Sequence, residues 1–311
     1  MQGSGADGGR PEYLTARELA ELLRVRERKV YELAAAGDVP CSRATGKLLF
    51  RRAAVDAWLA RVSSGPECTD ERSRAAVFAG SHDPLLEWAL RESGAELATY
   101  FDGSLDGIER FAARAAIASA LHVIAPDPGG TASARGEEAL WNVPLVRERF
   151  AAEPIVLMAF ARRERGWVVE RGAEPPPSDL AYLCGRRLVP RQPGAGSQVL
   201  LERLLERAGI ESSEFERVSR ARTESEAVLA VAEGRADLAF GLPSLAAQFG
   251  LDFAPLASER FDLLVERRAW FDPPLQRFVA FCRSAAFEER AKALPGYDTS
   301  AFGAVRFNGR T

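Results

Sequence analysis

The sequence predicts an α/β protein in which a small helical domain precedes a larger domain of alternating strands and helices. Its 311 residues exceed what one core usually organises, so at least two domains are expected. Two short helical patterns joined by a tight turn lie within the first forty residues. From residue 77 onward, apolar runs alternate with helical patterns, which is typical of a parallel sheet covered by helices. A polar stretch over residues 63–73 separates the two parts.

The composition excludes several classes of protein. A hydrophobic content of 47% and a charged content of 27% are typical of an ordinary globular chain. No apolar run is long enough to span a bilayer, and the Gly-rich residues 1–9, expected to be a disordered tail, lack the apolar segment of a signal peptide. We therefore expect a cytoplasmic protein without membrane contact. No CxxC pair is present, which argues against a zinc site or a disulfide framework; the cysteines are Cys41, Cys68, Cys184 and Cys282.

The net charge of -3 conceals an asymmetry along the chain. Residues 10–62 contain 11 Lys or Arg against 7 Asp or Glu, a local net of +4, whereas residues 63–311 carry -6. A basic N-terminal module on an acidic body favours nucleic-acid contact by the module alone.

The N-terminal module, residues 10–62, carries clear helix-end signals. Thr15 and Glu18 form a capping-box pattern ahead of an apolar helical stripe. A second helix is predicted over residues 27–36, with Gly37 as its C-terminal stop. A hairpin with its tip at residues 45–47 and a third helix over residues 52–59 follow. Two short helices joined by a tight turn form the helix-turn-helix pattern.

This stretch resembles the excisionase-like, MerR-related winged helix-turn-helix family. The matching segments are residues 14–15, 18–23, 30–31, 37–40 and 54–59. The resemblance implies that the second helix enters the major groove and that the hairpin wing touches the DNA backbone. The DNA-facing residues would be Arg26, Arg28, Lys29, Tyr31, Arg43, Lys47 and Arg51. A solvated basic helix face is the alternative.

The larger domain, residues 76–311 after a linker over 63–75, contains three Gly/Ser turns. The pairs Gly80-Ser81 and Gly103-Ser104 follow predicted strands, and Gly196-Ser197 begins a further predicted helix. Strands are predicted over residues 77–79, 97–101, 122–124, 154–160, 167–169 and 236–240, and helices over 83–93, 105–118, 197–208 and 224–233. A hydroxyl and free N–H groups at a helix N-terminus stabilise an anion, and ligands of such sheets bind beyond the strand ends. Simple helix capping by serine is the alternative.

Residues 76–303 resemble the periplasmic-binding-protein-like domain, related to molybdate- and tungstate-binding proteins, that is found fused to such DNA-binding modules. The resemblance is carried by residues 79–83, 103–104, 122, 141–144, 161–164, 191, 194–197, 233–237 and 296–300. It implies a type II two-lobed α/β domain, with lobe 1 over about 76–160 and 254–311 and lobe 2 over about 161–253. The candidate ligand-binding residues are Ser81, His82, Ser104, His122, Arg191, Gly196, Ser197, Thr223 and Ser225.

Two positions depart from the pattern of that family. Gln198 stands where a basic residue is usual, and Glu226 stands where a histidine is usual. A carboxylate near the cleft would repel a dianion, which leaves room for another small polar ligand. His82 and His122, the only histidines, are equally consistent with capping or core-edge roles.

These observations favour a ligand-responsive, DNA-binding transcription regulator that senses a small anion, molybdate or tungstate first. The expected partners are an operator in double-stranded DNA, a small effector and a second copy of the chain, with no metal or other cofactor and no catalysis. Two alternatives stay open. The domain could be an enzyme on a binding-protein fold, or the chain could be an architectural DNA binder with a degenerate sensor.

Overall fold

The computed structural model describes residues 12–42, 46–62, 74–125, 140–172 and 179–310. The chain divides into two compact units, residues 1–72 and 73–311. Most of the predicted linker and the predicted N-terminal tail lie outside the described residues. Arg74, at the end of that linker, is buried in the second unit, where its guanidinium donates to the Phe111 carbonyl and pairs with Glu153 at 3.0 Å.

The first unit is a small helical domain with a two-stranded sheet. Its elements are β1 (Tyr13–Thr15), α1 (Ala16–Leu23), α2 (Glu27–Ala36), β2 (Leu49–Arg51) and α3 (Arg52–Val62). The strands β1 and β2 pair antiparallel, and a bridge from Ser42 to Leu49 continues the pairing into the hairpin. Leu19, Val30, Phe50 and Val55 are fully buried and form the centre of its core.

The ends of the first two helices form as the sequence predicts. Thr15 and Glu18 make both hydrogen bonds of the capping box at the start of α1. Gly37 takes the left-handed conformation, φ +77°, that ends α2. Arg24 takes the same conformation after α1, φ +54°, and this gives the tight turn between the two helices.

The second unit is built on a mixed, curled sheet. Its strands are β3 (Val77–Gly80), β4 (Ala98–Tyr100), β5 (Ala118–Leu121), β6 (Ile155–Val169), β7 (Arg187–Val189), β8 (Glu216–Arg217), β9 (Leu238–Gly241), β10 (Asp252–Glu266), β11 (Tyr297–Asp298) and β12 (Val305–Asn308). Its helices are α4 (Pro84–Glu92), α5 (Ser104–Ala112), α6 (Val143–Phe150), α7 (Gly196–Ala208), α8 (Glu224–Ala232), α9 (Pro243–Phe249), α10 (Pro273–Cys282) and α11 (Ala285–Lys292). The strand order is β4-β3-β5-β10-β6-β9-β7-β8, and β11 and β12 also pair with β6.

Two long antiparallel strands, β6 and β10, run through the middle of this sheet. One end of β10 pairs with β5, and the opposite end of β6 pairs with β9. The outer strands are parallel within each half, so the expectation of a parallel sheet is right for β3–β5 and β7–β9 and wrong for the centre. The two halves are lobes with separate apolar cores. One core is built around Phe160 and Phe261, and the other around Trp167 and Leu238.

The sequence predicts two strands where the structure has the single strand β6, because charged residues interrupt its apolar pattern. Arg163 and Arg165 are nevertheless buried, since each has carboxylate partners, and the strand continues through them. The segment from β6 to β10 thus crosses between lobes twice, as the periplasmic-binding-protein resemblance implies. The predicted residue limits of the lobes stay a prediction.

The prediction is wrong for the segment from Leu105 to Ile124. Helix α5 ends at Ala112, because the chain turns through Arg114 with φ +60°, and the strand occupies Ala118–Leu121 instead of residues 122–124. Its four residues are small or apolar and all buried, which gives no alternating signal. The chain then continues into the second lobe, where Ile124 and Trp141 join the core around Trp167.

Candidate ligand cleft and DNA-binding surface

The loops after β3 and β4 bring two serine hydroxyls together. Ser81 Oγ and Ser104 Oγ lie 2.7 Å apart, and the backbone N–H of His122 donates to Ser104 Oγ at 3.2 Å. All three residues are buried. Gly107 on α5 lies directly against Gly80, where a Cβ would come within 2.3 Å of the Gly80 Cα, so the helix begins close to the end of β3.

Helix α7 of the other lobe begins beside the same histidine. A Cβ on Gly196 would lie 2.4 Å from the His122 carbonyl oxygen and 2.9 Å from the imidazole, so only glycine allows this approach. The next residue, Ser197, is 1% exposed, and its hydroxyl makes no hydrogen bond within the described part of the chain. The N-terminus of α7 and the Ser81–Ser104 pair therefore share His122 as a neighbour.

The mouth of the cleft is closed by contacts between the lobes. The N–H of Leu105 donates to the carbonyl of Gly194 at 3.2 Å. Gln192 Nε2 donates to the backbone oxygen of Asp102 at 2.7 Å, and Arg222 pairs with the Asp102 carboxylate at 3.3 Å. These contacts hold the loops of the two lobes together next to Ser104.

Beneath the serines lies a connected set of buried charges. Glu259 on β10 binds Arg163 at 2.5 Å and Arg165 at 2.8 Å through one carboxylate oxygen. Its second oxygen lies 2.8 Å from His122 Nδ1. Arg163 also binds Asp83, and Arg165 also binds Glu224.

The charged states follow from these contacts. Burial alone would raise the pKa of Glu259, but the charges of Arg163 and Arg165 hold it well below its usual range. Burial likewise would raise the pKa of Glu224, but Arg165 and Arg191 lower it to about 2. Burial lowers the pKa of His122 from 6.5, because it penalises the cationic form more than the Glu259 contact stabilises that form. At neutral pH Glu224 and Glu259 are therefore ionised and paired with arginines, and the imidazole of His122 is neutral.

The structure brings only part of the predicted ligand set together. Ser81, Ser104, His122 and Gly196 lie together where the lobes meet, and Ser197 is the buried residue that follows Gly196. The guanidinium of Arg191 is committed elsewhere: it donates to the carbonyls of Ala221 and Arg222 and pairs with Glu224 at 2.9 Å.

The other predicted residues have local contacts. Thr223 Oγ1 accepts the N–H of Glu226 and caps α8, and Ser225, in the first turn of α8, is half-buried. His82 is half-buried, with its Nε2 3.0 Å from the Glu87 carboxylate.

The two departures from the family pattern also have positions in the structure. Glu226 is exposed, and its carboxylate accepts the N–H of Arg222 at 2.7 Å. Gln198 is buried, and its side-chain oxygen accepts the N–H of Arg191 at 2.8 Å. The expected conflict between Glu226 and an anion therefore loses its basis, and the buried carboxylates among the described residues are Asp83, Glu224, Glu259 and Asp262 instead.

The sequence interpretation missed the buried charges at the hinge. Arg163 and Arg165 stand two residues apart on β6, so they point to the same buried face of the strand, whereas Arg162 and Glu164 point to the exposed face. Two arginines at that spacing, with Glu259 in a second segment long enough for a strand, were the available signal. Asn142 gave none: it is buried with φ +52°, and its side chain binds Val123 and Asp262.

The predicted DNA-facing residues that the structure describes are all exposed. Arg26 lies at the start of α2, Lys47 lies on the hairpin, and Arg51 ends β2. The side chain of Arg28 is 90% exposed and pairs with Glu32 at 3.1 Å, while Lys29 lies 3.6 Å from the same carboxylate group. Tyr31 is 50% exposed. Arg43 lies outside the described residues.

Comparison with curated proteins finds two relatives. The chain is 26% identical over 172 residues to the uncharacterized protein YvgK of Bacillus subtilis, and the match covers 54% of the chain and 55% of YvgK. The chain thus spans about half the length of that relative. It is 30% identical over 109 residues to an uncharacterized protein in the ferredoxin 2Fe-2S gene 5′ region of Clostridium pasteurianum, covering 34% of the chain and 96% of that protein.

Solved structures of similar fold include two regulator domains. One is the regulatory domain of Synechocystis CcmR in complex with 2-PG, with a TM-score of 0.46 and 9% identity, covering 66% of the chain and 93% of that domain. The other is the regulatory domain of MetR, a LysR family regulator from N. meningitidis, with a TM-score of 0.46 and 11% identity, covering 71% and 96%. Among the described residues, no helix has both the length and the apolar character needed to span a bilayer.

Family comparison matches both units of the chain. Residues 13–63 match the helix-turn-helix domain, and residues 87–283, more than half of the chain, match the PBP superfamily domain. The chain therefore belongs to the PBP superfamily and joins this domain to a helix-turn-helix domain.

Proposed function

We propose that the protein is a cytoplasmic transcription regulator whose cleft binds a small oxyanion, molybdate or tungstate first. The helix-turn-helix binds operator DNA, and the regulator acts as a homodimer on a near-palindromic site. The chain works as a sensor and not as a catalyst.

One observation carries the oxyanion proposal: the buried hydroxyls of Ser81 and Ser104 and the start of α7 at Gly196 all lie next to His122. The hydroxyls of Ser81 and Ser104 lie within hydrogen-bonding distance, and Gly196 brings the start of α7 against the same histidine. Hydroxyl groups and the N-terminal ends of helices are the groups that bind small anions without a dedicated cation. The unpartnered hydroxyl of Ser197 supplies a further donor.

The electrostatics of the cleft support the same proposal. Three buried carboxylates near the serines, Asp83, Glu224 and Glu259, are paired with three buried arginines, Arg163, Arg165 and Arg191. An anion entering above them therefore meets balanced charge. The guanidinium of Arg191 would stabilise the site indirectly, through its contacts with Glu224 and with the carbonyls of residues 221 and 222.

Calorimetry on the full chain tests the proposal. Molybdate, tungstate, sulfate and phosphate are titrated in turn, at equal ionic strength. Saturable one-to-one heat with molybdate or tungstate supports it. Absence of heat from all four, together with a small organic ligand that raises the melting temperature, would replace the oxyanion with that ligand while leaving a sensor.

The DNA-binding part of the proposal rests on the exposed basic face of α2. Operator fragments selected from random duplex DNA provide the test, with the ligand-loaded and ligand-free protein compared by gel shift. A bound sequence with two-fold symmetry supports the homodimer, and a half-site bound by a single chain contradicts it.

A further inference from the structure

A single buried carboxylate connects both lobes to the hinge. Glu259 lies on β10 where that strand crosses from one lobe to the other, and it is fully buried. Its two oxygens contact the guanidinium groups of Arg163 and Arg165 on β6 and the imidazole of His122. One side chain thus touches both hinge strands and the segment that carries the cleft histidine.

The two arginines extend this connection into opposite lobes. Arg163 Nη1 donates to Asp83 Oδ2 at 2.6 Å, and the other oxygen of Asp83 caps α4 just after Ser81. Arg165 Nη1 donates to Glu224 Oε2 at 3.0 Å, and Glu224 is the first residue of α8 in the second lobe. Each arginine therefore binds a helix start in one lobe and Glu259 at the hinge.

This arrangement constrains the angle between the lobes. A rotation about the hinge would separate Arg163, which is held to the first lobe, from Arg165, which is held to the second, while both bind the same oxygen of Glu259. Buried ion pairs contribute little net stability compared with apolar packing, but removing one partner leaves an uncompensated charge. Such a set favours one relative orientation over others more than it favours the folded state over the unfolded state.

We propose that Glu259 is a positioning residue that sets the angle between the lobes and thereby keeps the mouth of the cleft closed. It acts through Arg163 and Arg165 and does not itself contact the ligand. The inference rests on the proposed function only in taking the cleft as the ligand site.

The test is amide hydrogen exchange on the full-length protein without ligand. The N–H of Leu105 reports on the mouth, because it donates to Gly194 across the two lobes. The N–H groups of β5, inside the first lobe, serve as internal references. Glu259→Gln leaves two buried guanidinium groups with one carboxylate fewer and is expected to lose stability, so the charge-balanced pair Arg165→Gln with Glu259→Gln is the principal variant.

We expect exchange at Leu105 to accelerate at least tenfold in the charge-balanced variant, while the reference amides keep their rates. The radius of gyration from small-angle scattering should rise in parallel. Equal acceleration at Leu105 and in β5 would reduce Glu259 to a purely structural role. Unchanged exchange at Leu105 would overturn the proposal outright.

A partly exposed ion pair provides the control. Arg187 and Asp237 form a 2.7 Å pair on the second lobe, with both side chains about 40% exposed. The pair Arg187→Gln with Asp237→Asn removes the same charges and should leave the exchange rate of Leu105 unchanged.

Molybdate dissociation, followed by stopped flow, should also be faster in the Arg165/Glu259 variant. If exchange at Leu105 accelerates but none of the proteins binds molybdate, the proposal of an oxyanion ligand is wrong and the proposed role of Glu259 stands.

Discussion

The side-chain amide of Asn142 donates a 2.7 Å hydrogen bond to the carboxylate of Asp262, and this contact joins two segments that pass between the lobes. Burial raises the pKa of Asp262 to about 6, although the bond from Asn142 lowers it in part. The ordinary pKa is 3.8, so the folded state takes up the proton at a higher pH than the unfolded state does.

Asp262 should therefore make the fold less stable as the pH rises from 4 to 6. The difference between 3.8 and about 6 corresponds to about 3 kcal/mol of unfolding free energy lost across that range. Asp262→Asn removes this titration. In urea unfolding at pH 4, 5, 6 and 7, the free energy of unfolding of the variant should rise relative to that of the wild type as the pH rises.

The comparison must be between variant and wild type, because His122 acts in the opposite direction. Because the pKa of His122 is lowered in the folded state, the unfolded state takes up this proton at a higher pH than the folded state does. The contribution of His122 to stability therefore grows as the pH rises toward 6.5. Parallel stability curves for the two proteins would show that Asp262 does not titrate in this range.

Replacing a cleft serine by alanine should weaken oxyanion binding. Hydrogen bonds to a charged ligand contribute roughly 1.5–3 kcal/mol each, so Ser81→Ala or Ser197→Ala should raise the molybdate Kd about tenfold to a hundredfold. Calorimetry measures the change. Ser93→Ala is the matched control, since Ser93 lies at the far end of α4 and donates to the carbonyl of Leu90. A control that loses as much affinity as Ser81→Ala would place the ligand elsewhere.

The second unit should fold without the first. Its apolar cores and the core around Leu19 contain no residue in common. The fragment should begin at residue 73 and not at 76, because Arg74 is buried against Phe111 and Glu153.

We expect the fragments 73–311 and 76–311 both to melt cooperatively, with 73–311 the more stable of the two. The loss of a buried charged group that satisfies backbone carbonyls costs about 1–3 kcal/mol. Thermal unfolding followed by circular dichroism compares them. A gradual, non-cooperative transition in both fragments would mean that the second unit depends on residues before 73.

The sequence predicts the helix-turn-helix and the three Gly/Ser turns because both depend on local signals. Capping by Thr15 and Glu18 and the stop at Gly37 involve residues a few positions apart. The hinge charges could not be predicted in the same way. Arg163 and Glu259 are 96 residues apart, and each alone resembles an exposed charge. A buried charge is stable only beside its partner, and the partner is known only from the fold.

The basic face of α2 should determine DNA affinity. Arg28 and Lys29 are exposed and close to Glu32, and phosphate contacts would replace this weak ion pairing. Arg28→Ala with Lys29→Ala should lower affinity and reduce the slope of log K against log salt by about 2, because two fewer counterions are released. Fluorescence anisotropy with a selected operator at four salt concentrations measures the slope.

Arg17→Ala is the control, since Arg17 is exposed on α1 and pairs with Glu21 at the same helical spacing. If Arg17→Ala reduced the slope as much per charge as the α2 variant does, α1 would be the DNA-facing helix. If the slope were unchanged in the α2 variant, α2 would not lie in the groove.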